Sequence, residues 1–96
     1  MKTFELLRRK RKEILAIAFR HGAKEVRVFG SVVRGEDDET SDLDLLVSME
    51  SDRSLYDLIG LQQDIEQLVG RKTDVITDKS INRYLKESIL KEAVAL

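Results

Sequence analysis

The chain has 96 residues, 42% hydrophobic and 36% charged, with no cysteine and no proline; that composition gives one compact globular domain, 1–96, and excludes a disulfide framework, a thiolate metal site and a disordered segment. Net charge is −1, from 17 basic and 18 acidic residues, so no overall field draws nucleic acid, which is not an expected partner. The apolar runs are far shorter than a membrane span and the basic start lacks a signal-peptide core, so the expected location is cytoplasmic, with no membrane partner.

From Thr3 to about Arg20, Phe4, Leu7, Ile14, Leu15 and Ala18 recur at helical spacing. Arg11 interrupts the stripe, as in a surface helix with one apolar side, and Gly22 is placed to stop it. The basic cluster Arg8 to Lys12 on this helix reads as a solvated face, and His21 as a helix-end residue satisfying carbonyls. Val26, Val28 and Phe29 form a short β-rich run ending at Gly30, and Val32 to Gly35 fits a single helical turn. Glu36 to Glu39 then make an acidic, polar loop. Leu43, Leu45, Leu46 and Val47 form a nearly continuous apolar strand, expected to be covered on both faces. A longer amphipathic helix runs from Ser54 to Val69 and closes at Gly70. Val75 and Ile76 mark a third strand, and Leu85, Ile89, Ala93 and Leu96 give a final helix one apolar face. Tyr56 and Tyr84 are expected to be partly buried. The alternation predicts an α/β fold, a small three-stranded mixed sheet packed with about four helices.

Two segments carry chemistry: Phe29-Gly30-Ser31-Val32-Val33-Arg34-Gly35 and Ser41-Asp42-Leu43-Asp44-Leu45-Leu46-Val47. Glycine at the strand end lets a phosphate approach the backbone, free N–H groups at a helix start favour an anion, and the Ser31 hydroxyl adds a donor. Asp42 and Asp44 stand two apart, so on a strand they leave the same face. Two carboxylates so placed repel unless a cation lies between them. Hard oxygen donors with no His or Cys beside them suit Mg²⁺ held together with substrate phosphates. A phosphate-binding turn beside a two-carboxylate metal site is the equipment of phosphoryl or nucleotidyl transfer.

Gly30-Ser31, ten intervening residues, then Asp42-Leu43-Asp44 resembles the signature of the DNA-polymerase-beta-like nucleotidyltransferase superfamily. Arg34-Gly35 and Ser41 also match, and Asp74 in Arg71-Lys72-Thr73-Asp74-Val75-Ile76 is placed to supply the third acid. Length and the ending Ile89-Leu90-Lys91-Glu92-Ala93-Val94 look like the minimal nucleotidyltransferases, many of which are antitoxins encoded beside a HEPN-domain toxin. The resemblance implies a polymerase-beta-like nucleotidyltransferase fold. It implies catalytic and metal-ligating roles for Asp42, Asp44 and Asp74, with one or two Mg²⁺ ions. It further implies that Gly30, Ser31 and Arg34 bind the nucleotide. The implied reaction is AMP transfer from ATP to a protein hydroxyl, a tyrosine of a cognate HEPN-type toxin, with the chain acting as antitoxin and forming a homo-oligomer as a further option.

Two other classes compete with that expectation. One is a degenerate domain that neutralises its partner by docking alone, against which the intact acid triad argues. The other is transfer to RNA or a small molecule. Such relatives generally carry an additional acceptor-binding domain, and only the basic cluster Arg8 to Lys12 favours RNA.

Overall fold

A computed structural model describes residues 3–96. The chain runs α1 (Thr3–Arg9), α2 (Arg11–Arg20), β1 (Ala23–Phe29), α3 (Ser31–Arg34), β2 (Leu43–Met49), α4 (Leu55–Val69), β3 (Thr73–Thr77), α5 (Arg83–Glu92) and β4 (Val94–Ala95). The sheet is mixed, in the order β3-β2-β1-β4. β1 pairs antiparallel with β2 and with β4, while β2 and β3 are parallel.

This is the expected α/β architecture with two differences in count. The first helical stretch bends at Lys10, where φ −95° and ψ 12° leave the helical region. Helical hydrogen bonds still run through the bend, from Lys10 N–H to Leu6 and from Ile14 N–H to the Lys10 carbonyl. The Lys10 ammonium donates to the Leu68 carbonyl at 3.2 Å, tying the joint to the end of α4. The final helix stops at Glu92, because Ala93 turns extended and Val94–Ala95 add a fourth strand to the free edge of β1. Two residues make too short a run for alternation to register in the sequence. Their pairing comes from the open β1 edge, which lies far away along the chain.

Strand alternation divides the sheet into unlike faces. Val26 and Val28 of β1, Leu43, Leu45 and Val47 of β2 and Val75 of β3 point to one face. There they pack against Leu7, Ile14, Ile17, Ala18, Leu61 and Ile65 of the three longer-packed helices α1, α2 and α4. The other face carries Phe29, Asp44 and Asp74 in one row and Arg27, Leu46 and Ile76 in the next. Leu46 is buried there, so β2 is covered on both sides at its centre as its unbroken apolar run predicts. α5, by contrast, buries none of its residues. Its expected apolar face is largely open: Leu85 is exposed, and Leu96 reaches the core only after the helix has ended.

α4 is closed at both ends by local chemistry. The Asp57 carboxylate accepts the Ser54 N–H at 3.0 Å in the first turn, and Gly70 takes a left-handed φ of 69° after the last. Tyr56 and Tyr84 differ from expectation, both lying on the surface. Each occupies the outer side of an amphipathic helix, where periodicity places it and where nothing packs on it.

Candidate active site

β1 ends at Phe29 and Gly30 turns the chain into α3 with φ 81° and ψ −157°. That backbone conformation disfavours a side chain there, and an added Cβ would stand 2.3 Å from Oδ2 of Asp44, so the carboxylate would have to turn aside. The glycine thus brings the turn against the carboxylate, so the two sequence segments meet in space. The expected single helical turn is present as Ser31–Arg34, and Gly35 closes it with φ 71°.

The loop that delivers the acids is pinned by short-range bonds. One Asp38 carboxylate oxygen accepts from the Thr40 N–H at 2.9 Å, the Thr40 hydroxyl at 2.7 Å and the Ser41 hydroxyl at 3.1 Å. These donors, Thr40 first, hold the Asp38 carboxyl below the ordinary carboxylate range. Asp37 is not the solvated loop residue the charge run predicts. Its carboxylate accepts from the Thr3 hydroxyl at 2.6 Å and from Arg71 at 3.2 Å, fastening the loop to α1 and to the start of β3. The Leu43 N–H donates to the Lys72 carbonyl at 2.9 Å, which joins the starts of β2 and β3, and the Thr73 N–H donates to Glu66 at 2.9 Å, which ties β3 to α4.

In that register Asp44 stands directly beside Asp74, with Asp42 just before the strand. Neighbouring residues on adjacent strands are about 4.8 Å apart and share a face. The sequence-predicted acids therefore converge on one end of the open face. Partial burial, then the charges of Asp74 and Asp42, raise the Asp44 pKa above its ordinary value, against the pull of Arg34. Lys72, just before β3, places its Nζ 3.8 Å from the Asp42 carboxylate. Among the described residues no three acidic or metal-binding side chains already close around one point. The donor set is nonetheless all carboxylate oxygen under mutual repulsion, which is the chemistry a hard dication relieves.

Glu92, at the last turn of α5, is the residue that sequence reasoning missed. Its carboxylate accepts the Gly30 N–H, and Arg34 Nη1 donates to Oε1 at 2.9 Å and to Oε2 at 2.8 Å. The Arg34 Nε donates to Glu36 at 2.9 Å. Hydrogen bonds to Glu36 and then Glu92 raise the Arg34 pKa further, keeping it a cation. Arg34 is thus neither a free solvent-facing arginine nor an idle one: it grips an oxyanion together with the Gly30 amide. Glu92 lies 62 positions from Gly30, and no local pattern marks it. Its only signal lay in the quoted C-terminal segment.

His21 caps α2, but its side chain does not serve helix-end carbonyls. Nε2 lies 2.7 Å from Oδ2 of Asp64 on α4, and the ring sits beside Gly60. This pair is remote from the acids and joins two helices of the packed face.

A family model described as a nucleotidyltransferase domain matches residues 8–96. The chain belongs to the nucleotidyltransferase domain family. It is an enzyme of that class by descent, so its substrate class is a nucleotide. The protein adenylyltransferase MntA of Thermococcus cleftensis is 40% identical over 75 residues, 78% of this chain and 76% of that protein. A Methanocaldococcus jannaschii protein named as a candidate protein adenylyltransferase is 43% identical over 84 residues, 88% of this chain and 90% of that one. Among solved structures, a candidate minimal nucleotidyltransferase is 45% identical with a TM-score of 0.89, spanning 100% of this chain and 97% of its own. A toxin–antitoxin structure with AMP-PNP shares the fold, at a TM-score of 0.75 and 16% identity, over 88% of this chain and 69% of that one. Among the described residues no helix is long and apolar enough to cross a membrane.

Proposed function

We propose that residues 1–96 form one minimal nucleotidyltransferase domain that transfers AMP from ATP to a hydroxyl of a partner protein, a tyrosine of a HEPN-type toxin, and so acts as its antitoxin. The observation that carries this reading is the meeting of Asp42, Asp44 and Asp74 beside a turn whose Gly30 amide and Arg34 guanidinium already grip an oxyanion. The names of the relatives, protein adenylyltransferases among them, point the same way.

Gly30, Ser31 and Arg34 hold the terminal phosphates of ATP through a backbone amide, a hydroxyl and a planar cation. Asp42, Asp44 and Asp74 would hold one or two Mg²⁺ ions, which when bound neutralise triphosphate charge and polarise the reacting phosphorus. The acceptor oxygen bonds to the α-phosphorus, the bond to the bridging oxygen breaks, and pyrophosphate leaves. The acceptor proton passes to Asp74, which lies on the strand beyond Asp44 and so on the side away from Gly30. The open end of the sheet leaves the acceptor side to be completed by the partner.

The test is the intact mass of a co-expressed neighbouring toxin, purified after incubation with ATP and Mg²⁺, using wild type and Asp42→Asn/Asp44→Asn. Wild type should add one or more AMP units, and the double variant should lose at least about a thousandfold in rate. A stable complex with no added mass would replace transfer by docking alone. Full activity in the double variant would refute the acid assignment.

A further inference from the structure

We propose that Glu92 is a tethered stand-in for a phosphate group, so that nucleotide entry requires the C-terminal segment α5–β4 to release the Gly30–Arg34 cradle. The inference rests on the reading of that cradle as the phosphate site.

Three observations carry it. First, the donors are the ones the phosphates need. The Gly30 amide donates to one Glu92 oxygen and Arg34 Nη1 reaches both, so the amide and that edge of the guanidinium are engaged while the carboxylate stays. Guanidinium and amide N–H groups donate to carboxylate and phosphate oxygens alike, which makes the two interchangeable occupants. Secondly, the carboxylate adds charge where charge is already in excess. It bonds the Gly30 amide, and Gly30 lies against the Asp44 carboxylate, which stands beside Asp74. A triphosphate arriving with Glu92 in place would meet a fourth carboxylate at the same end of the sheet. Thirdly, the segment bearing Glu92 is lightly held. α5 buries no residue, and β4 adds only Val94 and Ala95 to the β1 edge. Beyond these, the Leu96 amide donates to the Val26 carbonyl at 3.1 Å and the Arg11 guanidinium donates to the Leu96 carbonyl. A segment with few buried contacts and few ladder bonds opens at low free-energy cost.

Displacement gives up the partly buried contact of Leu96 with the core and its bond to Arg11, while α1, α2 and α4 stay in place as α5–β4 swings away. By linkage, whatever holds the released segment also strengthens nucleotide binding by the same factor. A partner protein that captures α5 thereby loads the enzyme, and an unpartnered chain keeps its phosphate site filled with its own carboxylate.

The experiment uses the full chain with AMP-PNP and Mg²⁺, and separately with inorganic tripolyphosphate, measured by calorimetry. Glu92→Gln should bind both about five- to tenfold more tightly than wild type, the worth of one partly exposed charge-assisted contact. Glu87→Gln removes a carboxylate one turn earlier on α5, where it pairs only with Lys91 at 3.1 Å, and should match wild type. In hydrogen exchange of wild type, tripolyphosphate should speed the amides of Val94 to Leu96 while slowing Gly30. Weaker binding by Glu92→Gln would make Glu92 a ligand for substrate or metal and overturn the proposal. So would unchanged affinity, or slowed exchange at Val94 to Leu96. Failure of both proteins to bind either probe would instead remove the nucleotide reading itself, and the gate with it.

Discussion

The two faces of the sheet are built on opposite terms. On one, Leu7, Leu61 and Ile65 are fully buried between β1–β3 and the helices α1, α2 and α4. On the other, acids line one end, and α5, with no buried residue, borders a cavity over Arg27 and Leu46. Among the described residues, a core cluster of 14 buried hydrophobic residues on one side lets the other side carry carboxylates that repel one another. Stability and chemistry are thus separated by the two-residue alternation of the strands, with Leu43 and Leu45 facing the core and Asp44 between them facing the site.

The separation can be broken most sharply by large-to-small substitutions on either side. Leu61→Ala, on the packed face of α4, should lower stability by about 3 kcal/mol, because the buried site cannot fully collapse. Leu85→Ala on α5 should cost less than about 0.5 kcal/mol, since its side chain is already half in solvent. Urea midpoints of the two variants decide it, and equal losses would show that α5 belongs to the core after all.

Gly30→Ala tests the seam between the faces. The added methyl meets the Asp44 carboxylate at a backbone conformation alanine avoids, so stability should fall by about 1–3 kcal/mol and AMP-PNP binding should be lost. Retained binding with a normal melting point would mean that the turn relaxes and that Gly30 is not what brings phosphate to the acids.

The smallest expected effect has the opposite sign. The raised pKa of Asp44 means that the folded protein holds its proton more tightly than the unfolded chain does. That contribution favours the fold below the ordinary carboxylate range and is lost as pH rises through the raised value. At neutral pH the ionised Asp44 therefore works against the fold. Asp44→Asn should raise the metal-free melting temperature at pH 7 by about 2 °C, a few tenths of a kcal/mol after solvent screening. The advantage should vanish near about pH 3, where wild type is protonated too. A destabilised Asp44→Asn at pH 7 would mean that the carboxylate is held by donors and not opposed by its neighbours.

Much of this was legible in the chain. Asp42 and Asp44 stand out because one precedes and the other interrupts an apolar strand at a spacing of two, and Gly30 because it ends a β-rich run. The long helix Ser54 to Val69 is legible for the same reason, its periodicity being sustained and its caps local. The bend at Lys10 and the end of α5 at Glu92 were not, since each depends on a distant partner: the Leu68 carbonyl for one, the β1 edge for the other. Asp37 and His21 were read as a loop acid and a helix-end residue, because their bonds to Thr3, Arg71 and Asp64 cross tens of residues.

By itself, then, the sequence determined the alternation of helix and strand from α2 to β3, which way β2 faces, and the acids and glycine near the strand ends, because all of these follow from spacings of two to four residues. Only the tertiary structure decided that Asp74 pairs with Asp44, that β4 closes the sheet and that Glu92 fills the Gly30–Arg34 cradle. Those juxtapositions are matters of register and loop closure across 30 residues or more, and they are set by how the whole core packs, not by any local pattern.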